Sequence, residues 1–422
     1  MFPLYSLLYS LALLLFFPAE YLKRPRRLRS LWLSEKLGNP QIKPTAPGQS
    51  GHSNKTLWVH AVSVGEALAA ATFIHEYLKS RPDDRIIVST ITDTGRAVAS
   101  ERLRGLAQVI YLPFDLPWPV SKVIDHIRPD ALVIMETELW PNLIRTVKLN
   151  RIPICLLNGR ISEKSFGNYM RVKWIFNPVL DMIDVFCVQN EVYAERLREL
   201  GVSPDKVIKT GNFKFDIKVK DEQLDWTLRL SGPVLIAGST HKGEDEIVLK
   251  AYKRLLAEHP GLNLVIAPRH PRRFDDVWSL LEKDSVYCIK RTALAETDGE
   301  ITGAVILLDT VGELSMLYRA ADVVVMGGSF IPHGGQNPLE PAYWGKPVLC
   351  GPHMENFPFI KEFYDSKAAI RTTVDRLYDD LNGLLGTAAW RDEMGSNAKA
   401  ILERNRGAVG RAIKVIQGLT VT

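Results

Sequence analysis

Short apolar segments that alternate with amphipathic helical patterns constrain the fold of this chain more than any other feature of its sequence. Strands covered on both faces read as continuous apolar runs, and strands alternating with helices form parallel, doubly wound sheets. The first series of predicted strands covers residues 57–62, 86–90, 109–112, 131–135, 154–157 and 185–189. The second covers residues 234–237, 263–267, 305–308, 323–326 and 347–350. The sequence therefore predicts two successive Rossmann-like α/β domains.

Length and composition agree with this prediction and exclude several other classes of protein. A chain of 422 residues is too long for one ordinary core, and 24% charged with 46% hydrophobic residues indicates a globular protein. The net charge of +5 is modest, and no zinc finger or RNA-binding signature occurs, so we expect no nucleic-acid partner. No strand is followed by G-x-G-x-x-G, which excludes the dinucleotide fingerprint. Four cysteines without C-x-x-C spacing indicate free thiols, mostly buried, in a reducing compartment: Cys155, Cys187, Cys288 and Cys350.

The N-terminus indicates attachment to a membrane. Residues 1–19 contain no charged side chain, whereas residues 23–29 contain five basic residues in seven. A secretory signal would carry its positive charge before the apolar run, not after it. As a helix the run would reach about 28 Å, so it is either a short span or a monotopic anchor, with the following domains on the cytoplasmic side. The alternative is a buried terminal helix of a soluble protein.

The predicted domain boundaries follow from these patterns. Residues 1–29 form the anchor and its basic flank, and the stretch 39–55, rich in Pro, Gly, Ser and Asn, is a linker or surface loop. The first Rossmann-like domain covers residues 30–215 and the second covers 216–422, whose last helix can pack back on the first. Because the catalytic fold starts near residue 57, deletion of residues 1–22 should spare folding.

Carboxylates follow two of the predicted strands in the first domain. Glu66 lies where a strand, a turn and a helix meet, and ligands of open α/β sheets bind at that edge. It is a candidate general base, although a carboxylate there also complements the positive N-terminus of a helix. Glu136 and Glu138 end the run 131–135, where two acids are costly unless they are paired, hydrogen-bonded or needed. They too have the alternative reading of helix N-terminal acids.

A lysine at the domain boundary has two readings. Lys214 lies between Phe213 and Phe215, so its stem either extends harmlessly along the two rings or its charge faces a phosphate.

The second domain carries several segments suited to an anion. Residues 237–244 combine glycine, hydroxyl groups and backbone N–H groups at the start of a helix, and Arg269 belongs to a basic cluster that ends the next strand. A glycine-rich loop beginning at Gly327 leads into a helix whose first turn holds Pro338, so its amides would cradle a phosphate. Glu340, one turn in, would accept ribose hydroxyls. No Asp-x-Asp metal motif is positioned for a nucleotide, so we expect no metal.

These segments together resemble the GT-B class of glycosyltransferases, in which two Rossmann-like domains face a cleft. The closest resemblance is to the Kdo transferases (3-deoxy-D-manno-octulosonic acid transferases) of Gram-negative envelopes. The matching motifs are His60-Ala-Val-Ser-Val-Gly-Glu66, Met135-Glu-Thr-Glu-Leu-Trp-Pro-Asn142, Gly211-Asn-Phe-Lys-Phe-Asp216, Pro268-Arg-His-Pro271, Gly312-Glu-Leu314 and Asn337-Pro-Leu-Glu340. The apolar run with its basic flank and the motif Glu35-Lys-Leu-Gly38 are also similar to that family.

The resemblance implies a reaction and a role for each matching residue. The donor would be CMP-Kdo, a substrate rather than a cofactor, and the acceptor the lipid A precursor, tetraacyldisaccharide 4'-phosphate (lipid IVA), at the cytoplasmic face of the inner membrane. Transfer would invert the anomeric carbon, with Glu66 as general base and with Glu136 and Lys214 stabilising the transition state. The residues implied to bind CMP are Pro268, Arg269, Val311, Gly312, Glu313, Asn337, Pro338, Leu339 and Glu340. Since the base and the phosphate site fall on different domains, closure would be needed to assemble them.

Two alternatives use the same sequence features differently. One is another GT-B glycosyltransferase or a nucleotide-sugar epimerase with a different donor. The other is a membrane-bound glycan- or lipid-binding protein without catalytic activity, which would have no need of a base.

Overall fold

A computed structural model describes residues 1–42, 55–284, 286–296 and 298–420. The chain divides into two compact units, which are Met1–Asp216 with Arg406–Thr422, and Ile217–Asn405. The chain passes from unit 1 to unit 2 after residue 216, one residue beyond the boundary expected at 215/216. Most of the expected linker, residues 43–54, lies outside the described residues.

Each unit contains a seven-stranded sheet in which every pair of neighbouring strands is parallel. The strands of unit 1 are β1 (Thr56–His60), β2 (Arg85–Thr90), β3 (Gln108–Tyr111), β4 (Ala131–Met135), β5 (Ile154–Gly159), β6 (Val185–Val188) and β7 (Val207–Lys209). Those of unit 2 are β8 (Val234–Thr240), β9 (Asn263–Pro268), β10 (Cys288–Lys290), β11 (Val305–Leu307), β12 (Val323–Met326), β13 (Val348–Cys350) and β14 (Ala369–Arg371). The expected pair of doubly wound α/β sheets is confirmed.

The strand orders place a topological switch point in each unit. They are β3-β2-β1-β4-β5-β6-β7 and β10-β11-β9-β8-β12-β13-β14. The winding direction reverses between β1 and β4 in unit 1, and between β8 and β12 in unit 2. Ligands of open α/β sheets bind beyond the carboxyl ends of the strands at such points.

Helices cover both faces of the two sheets. In unit 1 they are α1 (Phe2–Lys23), α2 (Arg26–Lys36), α3 (Val64–Ser80), α4 (Asp93–Arg102), α5 (Pro117–Ile127), α6 (Pro141–Leu149), α7 (Glu163–Arg171), α8 (Lys173–Leu180) and α9 (Glu191–Glu199). In unit 2 they are α10 (Glu244–Leu255), α11 (Phe274–Lys283), α12 (Leu314–Leu317), α13 (Leu339–Tyr343), α14 (Ile360–Asp365), α15 (Leu377–Gly386) and α16 (Ala388–Asn405). The chain then returns to unit 1 as α17 (Ala408–Thr420).

The return of α17 completes one face of the unit 1 core. Ala412 and Ile416 of α17 are buried in the same apolar cluster as Ala70 and Phe73 of α3. Asp216, the last residue of the first segment of unit 1, is bonded to the start of the second segment. Its carboxylate accepts hydrogen bonds from the backbone N–H groups of residues 407 (2.5 Å) and 409 (2.6 Å). The last helix is therefore a structural part of unit 1.

The N-terminal helix α1 has one packed face and one bare apolar face. In the described part of the chain it is the one helix long and apolar enough to cross a membrane. Phe17 and Tyr21 pack on Trp32 of α2 and on Phe114. The opposite face consists of leucines that are 56–74% exposed, namely Leu4, Leu7, Leu8, Leu11, Leu14 and Leu15. The helix is thus neither an isolated span nor a buried core helix.

Polar contacts fix the packed face of α1 to the body of unit 1. The hydroxyl of Tyr5 donates to Asp115 (2.8 Å), and the same carboxylate accepts from the backbone N–H groups of Asn142 and Leu143 at the start of α6. Removal of residues 1–22 would uncover Trp32, which is 2% exposed, and would deprive Asp115 of a partner. The expectation that this deletion spares folding therefore conflicts with the structure, because helix and body share an apolar contact.

The basic flank is only partly available to lipid. Arg24 pairs with Asp93 at 2.6 Å and stacks on Trp32, and Arg29 donates to backbone carbonyl oxygens. The exposed members are Lys23, Arg26 and Arg27. The four cysteines are free thiols, as expected, and three of them are buried.

Candidate active site

Glu66 lies in the first turn of α3, beyond the carboxyl end of β1. The helix begins at Val64, with Ser63 as its N-cap residue. One carboxylate oxygen of Glu66 accepts from the Ser63 hydroxyl (2.8 Å) and the other from the Val62 backbone N–H (2.9 Å). The Ser63 hydroxyl oxygen also accepts from the Glu66 N–H (3.3 Å), which completes a capping-box arrangement. Glu66 therefore caps its helix, and its role as a base stays a prediction.

The capping contacts leave the carboxylate of Glu66 with room for a further partner. A carboxylate has about four lone-pair sites, and two of them are used here. Two bonds also hold the oxygens in one orientation, which is what a positioned proton acceptor requires.

Glu136 follows β4, on the other side of the switch point. It adopts a left-handed backbone conformation with φ of 56°, which is uncommon for a residue other than glycine. Its carboxylate pairs with the Arg160 guanidinium at 2.7 Å. Burial raises the pKa of Glu136, the charge of Glu66 adds to this, and Arg160 opposes it. A strained backbone together with a buried, partly compensated charge is typical of a functional site.

Glu138 has a pKa well above its ordinary value. Burial raises its pKa to about 7, and the charges of Glu66 and Glu136 act in the same direction. The sequence motif drew attention to Glu138, but no role was assigned to it. These mutual effects show that the carboxyl groups after β1 and β4 share one edge of the sheet.

Lys214 is presented to the same edge by two buried phenylalanines. Phe213 and Phe215 are each 3% exposed, and the Phe213 ring stacks on Phe73 of α3. The Phe213 backbone N–H donates to the side-chain oxygen of Asn158 (3.1 Å), which follows β5. Since the rings anchor in the core, the exposed lysine side chain is not needed to cover them.

The charges around Lys214 connect it with the carboxylates. Although the Lys214 side chain is solvent-accessible, the surrounding protein partly desolvates it and so lowers its pKa; the charge of Arg160 lowers this pKa further, and Glu136 opposes both effects. Unit 1 thus brings Glu66, Glu136 and Lys214 together with Glu138 and Arg160. The catalytic roles that the resemblance implies for the first three residues stay predictions.

In unit 2, one buried carboxylate holds the glycine-rich loop. Glu244, which is fully buried, accepts hydrogen bonds from the backbone N–H groups of His241 (2.9 Å), Gly328 (2.6 Å) and Phe330 (2.9 Å). The Thr240 hydroxyl donates to Asp245 at 2.6 Å. Carboxylates within the unit therefore already bind these amides and this hydroxyl. The expectation that the glycine-rich loop cradles a phosphate stays a prediction for its other amides.

Side chains near the loop remain suited to an anion and a ribose. Arg269 follows β9 with an exposed side chain. Burial raises the pKa of Glu340, while a hydrogen bond from Asn337 and the charge of Arg269 lower it. These three predicted nucleotide-binding residues are therefore neighbours. The helix that contains Glu340, α13, is only five residues long, so its dipole contributes little to binding an anion.

The other predicted nucleotide-binding residues are less directly available. Pro268, Pro338 and Leu339 are buried and shape the edge of the sheet. Val311 is 79% exposed, and Gly312 has a φ of 96°. The Glu313 carboxylate is already paired with Arg291 (2.9 Å) and accepts from the Trp226 indole N–H (3.3 Å). A role for Glu313 in binding CMP would require it to share these contacts.

Three histidines form a cluster that sequence reasoning did not identify as a site. The ring of His241 lies 4.0 Å from that of His333 and 5.6 Å from that of His270, measured between centroids. Burial lowers the pKa of His241 to about 4, and the charges of His333, His270 and nearby arginines add to this. Each histidine follows a different strand, and each was visible in the sequence only as part of a strand-end motif. Within the described ranges no group of three His, Cys, Asp or Glu side chains is placed to hold a metal ion.

Comparison with known proteins adds independent information. Residues 33–217 match the model of a family described as 3-Deoxy-D-manno-octulosonic-acid transferase (kdotransferase). The chain is 35% identical over 370 residues to the 3-deoxy-D-manno-octulosonic acid transferase of Haemophilus influenzae, with 86% of each chain covered. It is 31% identical over 410 residues to that of Bordetella pertussis, covering 92% of this chain and 94% of the relative. The UDP-GlcNAc 2-epimerase of Neisseria meningitidis is similar in structure, with a TM-score of 0.54 at 15% identity over 87% of this chain and 99% of that one. The last similarity concerns the fold alone.

Proposed function

Because this chain belongs to the 3-deoxy-D-manno-octulosonic acid transferase family and is therefore a glycosyltransferase, we propose that it transfers Kdo from CMP-Kdo to the lipid A precursor. The family agrees with the resemblance drawn from the six motifs, and its two Rossmann-like units are of the GT-B class. The observation that carries the proposal is the cluster at the switch point of unit 1, where Glu66, Glu136 and Glu138 influence one another electrostatically and Lys214 interacts with Glu136.

The proposed chemistry needs a proton acceptor and stabilisation of developing charge. The acceptor hydroxyl attacks the anomeric carbon of Kdo, its proton passes to Glu66, and the bond to the CMP phosphate breaks with its electron pair on the phosphate. Attack opposite to the leaving phosphate inverts the anomeric carbon. The two hydrogen bonds at Glu66 orient its carboxylate for this step, which is worth about 10²–10⁴-fold in rate for a positioned base.

The remaining residues divide between stabilising the transition state and binding the nucleotide. Lys214 supplies a fixed positive charge, and Glu136 with its partner Arg160 supports the positive character that develops at the anomeric carbon. In unit 2, Arg269 meets the CMP phosphate, whereas Asn337 and Glu340 accept the ribose hydroxyls. The three histidines beside Arg269 add further hydrogen-bond donors for an anion.

The lipid acceptor is supported by the bare leucine face of α1. Since the other face of this helix packs on unit 1 along much of its length, we infer that α1 lies in the membrane interface and does not cross the bilayer. The exposed Lys23, Arg26 and Arg27 would then meet anionic head groups at the cytoplasmic surface of the inner membrane. An enzyme attached in this way meets its lipid acceptor in two dimensions.

One assay tests the proposal against the alternatives. The full chain in detergent is given CMP-Kdo generated in situ and tetraacyldisaccharide 4'-phosphate, and the mass of the lipid is measured. We expect an increase by whole Kdo units with wild type, and NMR of the new linkage should show the α anomer. The Glu101→Gln variant, which changes an exposed carboxylate on α4, should behave like wild type. Transfer from a UDP- or GDP-sugar with none from CMP-Kdo would overturn the proposed donor, and no transfer from any donor would indicate a binding protein.

A further inference from the structure

A groove in unit 1 lies beside the candidate active site. It has a volume of about 280 Å³ and is formed by the first turns of α1, the segment between β4 and α6, and helices α7 and α8. Its walls include Tyr5, Trp140, Tyr169, Phe176 and Val179, so aromatic and aliphatic surfaces predominate.

The groove adjoins the carboxylate cluster at Glu138. Glu138 lines the groove, and its carboxyl group interacts electrostatically with Glu66 and Glu136. A molecule that fills the groove would therefore place whatever is attached to its near end at the site of proton transfer.

The floor of the groove continues into the apolar core. A small enclosed void shares Thr137, Leu139, Tyr169 and Phe176 with the groove and reaches Leu156 and Phe186. Two polar groups of the walls are already satisfied, because the Thr137 hydroxyl donates to the Arg160 carbonyl and the Tyr5 hydroxyl to Asp115. A peptide would need hydrogen-bond partners along its backbone, whereas a hydrocarbon chain needs none.

The helices that form the groove also carry exposed apolar residues. Leu4 and Leu8 of α1 are 61% and 57% exposed, and Trp174 at the start of α8 is 78% exposed. The neighbouring Arg171 and Lys164 of α7 have exposed side chains and carry the charge that complements lipid phosphates. Exposed tryptophan beside basic residues is typical of a surface at the membrane–water interface.

We propose that this groove binds one acyl chain of the lipid acceptor and so holds the sugar head group at Glu66. The proposal rests on the proposed function, since it takes the acceptor to be an acylated saccharide. It makes residues of α8, which take no part in the proposed chemistry, determinants of acceptor specificity.

The first test narrows the groove and compares two acceptors. Ile175 lines the groove, is partly exposed, and can be replaced with tryptophan; Leu149→Trp is the matched control, because Leu149 is 69% exposed on α6 and is not among the residues that line the groove. With the tetraacyl acceptor, Ile175→Trp should raise KM at least about tenfold, the effect of losing roughly two methylenes from an apolar site. With the fully deacylated disaccharide, both variants should match wild type. An equal effect of Ile175→Trp on both acceptors, or no effect on either, would overturn the proposal.

A second test does not depend on turnover. A disaccharide 4'-phosphate carrying a diazirine near the end of one acyl chain is photolysed with wild-type protein in detergent, and labelled residues are mapped by mass spectrometry. Labelling of Tyr169, Phe176 or Val179, reduced by unlabelled acceptor and in Ile175→Trp, supports the groove. Labelling confined to the leucine face of α1, or equal competition by a phospholipid of the same chain length, would contradict it. If the protein transfers no Kdo to any acceptor, the proposed function fails while this experiment still decides the groove.

Discussion

Replacing Glu138 with glutamine tests whether the ionised form of Glu138 destabilises the folded protein. Burial raises the pKa of Glu138 from 4.5 to about 7, and the charges of Glu66 and Glu136 contribute to this. Glutamine has nearly the same shape and cannot ionise. The Glu138→Gln protein should therefore be more stable than wild type at a pH where Glu138 is charged.

The magnitude and the sign follow from proton linkage. The interval from 4.5 to about 7 corresponds to roughly 3 kcal/mol at 1.36 kcal/mol per pKa unit, and partial exposure of Glu138 reduces the expected gain to about 1–2 kcal/mol. The folded state binds this proton more tightly than the unfolded state does. The stabilisation that comes from protonated Glu138 is therefore fully present below the pKa of Glu138 in the unfolded state, about 4.5, and it is lost as the pH rises through about 7.

Thermal unfolding at two pH values measures this effect. At pH 8, the transition of unit 1 should rise by about 2–8 °C in Glu138→Gln, since 1 kcal/mol shifts Tm by about 2–4 °C in a domain of this size. At pH 5 the gain should be much smaller, and Glu101→Gln should show no gain at either pH. Equal gains of Glu138→Gln at both pH values, or a loss of stability at pH 8, would refute the reasoning.

Three further predictions concern the base, the nucleotide and the membrane. Glu66→Gln should lose at least ~10²-fold in turnover with unchanged CMP affinity, because the base is removed while the unit 2 site is intact; kinetics and calorimetry measure the two effects. Arg269→Ala and Glu340→Ala should each weaken CMP binding by about 1.5–3 kcal/mol in calorimetry, since each removes a charged contact. Replacing Leu11 and Leu14 together with glutamine should weaken vesicle binding at least about tenfold, without changing Tm, because both side chains are exposed.

Each of these predictions has an outcome that would count against it. Near-normal turnover in Glu66→Gln would leave that residue only its capping role. Unchanged affinity in both CMP-site variants would place the nucleotide elsewhere. Undiminished flotation of the leucine variant with vesicles would show that α1 does not anchor the protein.

The central strands could be predicted because burial on both faces leaves a pattern in the sequence. All five residues of β4 are buried, and the predicted bounds for that strand were correct. Three strands were not predicted, namely β7, β10 and β14. Each has three residues and lies near or at an edge of its sheet, so there is no run long enough to show a period.

The candidate site could be predicted only where function and local sequence coincide. Glu66 and Glu136 follow predicted strands, and strand ends share an edge. Lys214 follows β7, which was not predicted, and its role came from the resemblance alone. The hydrogen bond from the Gly328 backbone N–H to Glu244 could not be predicted, because the two residues are 84 positions apart. A glutamate at the start of a helix is also explained by its favourable interaction with the helix dipole. For α1, the aromatic residues spaced four apart at Phe17 and Tyr21 indicated a packed face, but the apolar composition of the segment obscured this signal.

The return of α17 to unit 1 has a consequence for how the protein is made. During translation, the first 216 residues leave the ribosome without the helix that covers Ala70 and Phe73, and nearly two hundred residues of unit 2 must be synthesised before it arrives. Unit 2 is an insertion between the two segments of unit 1, and it can fold before unit 1 is complete. A nascent or truncated chain that ends before residue 406 therefore presents an open apolar surface on unit 1, and it is a natural substrate for chaperones and proteases. Completion of unit 1 is in this way coupled to synthesis of the last few turns of the chain.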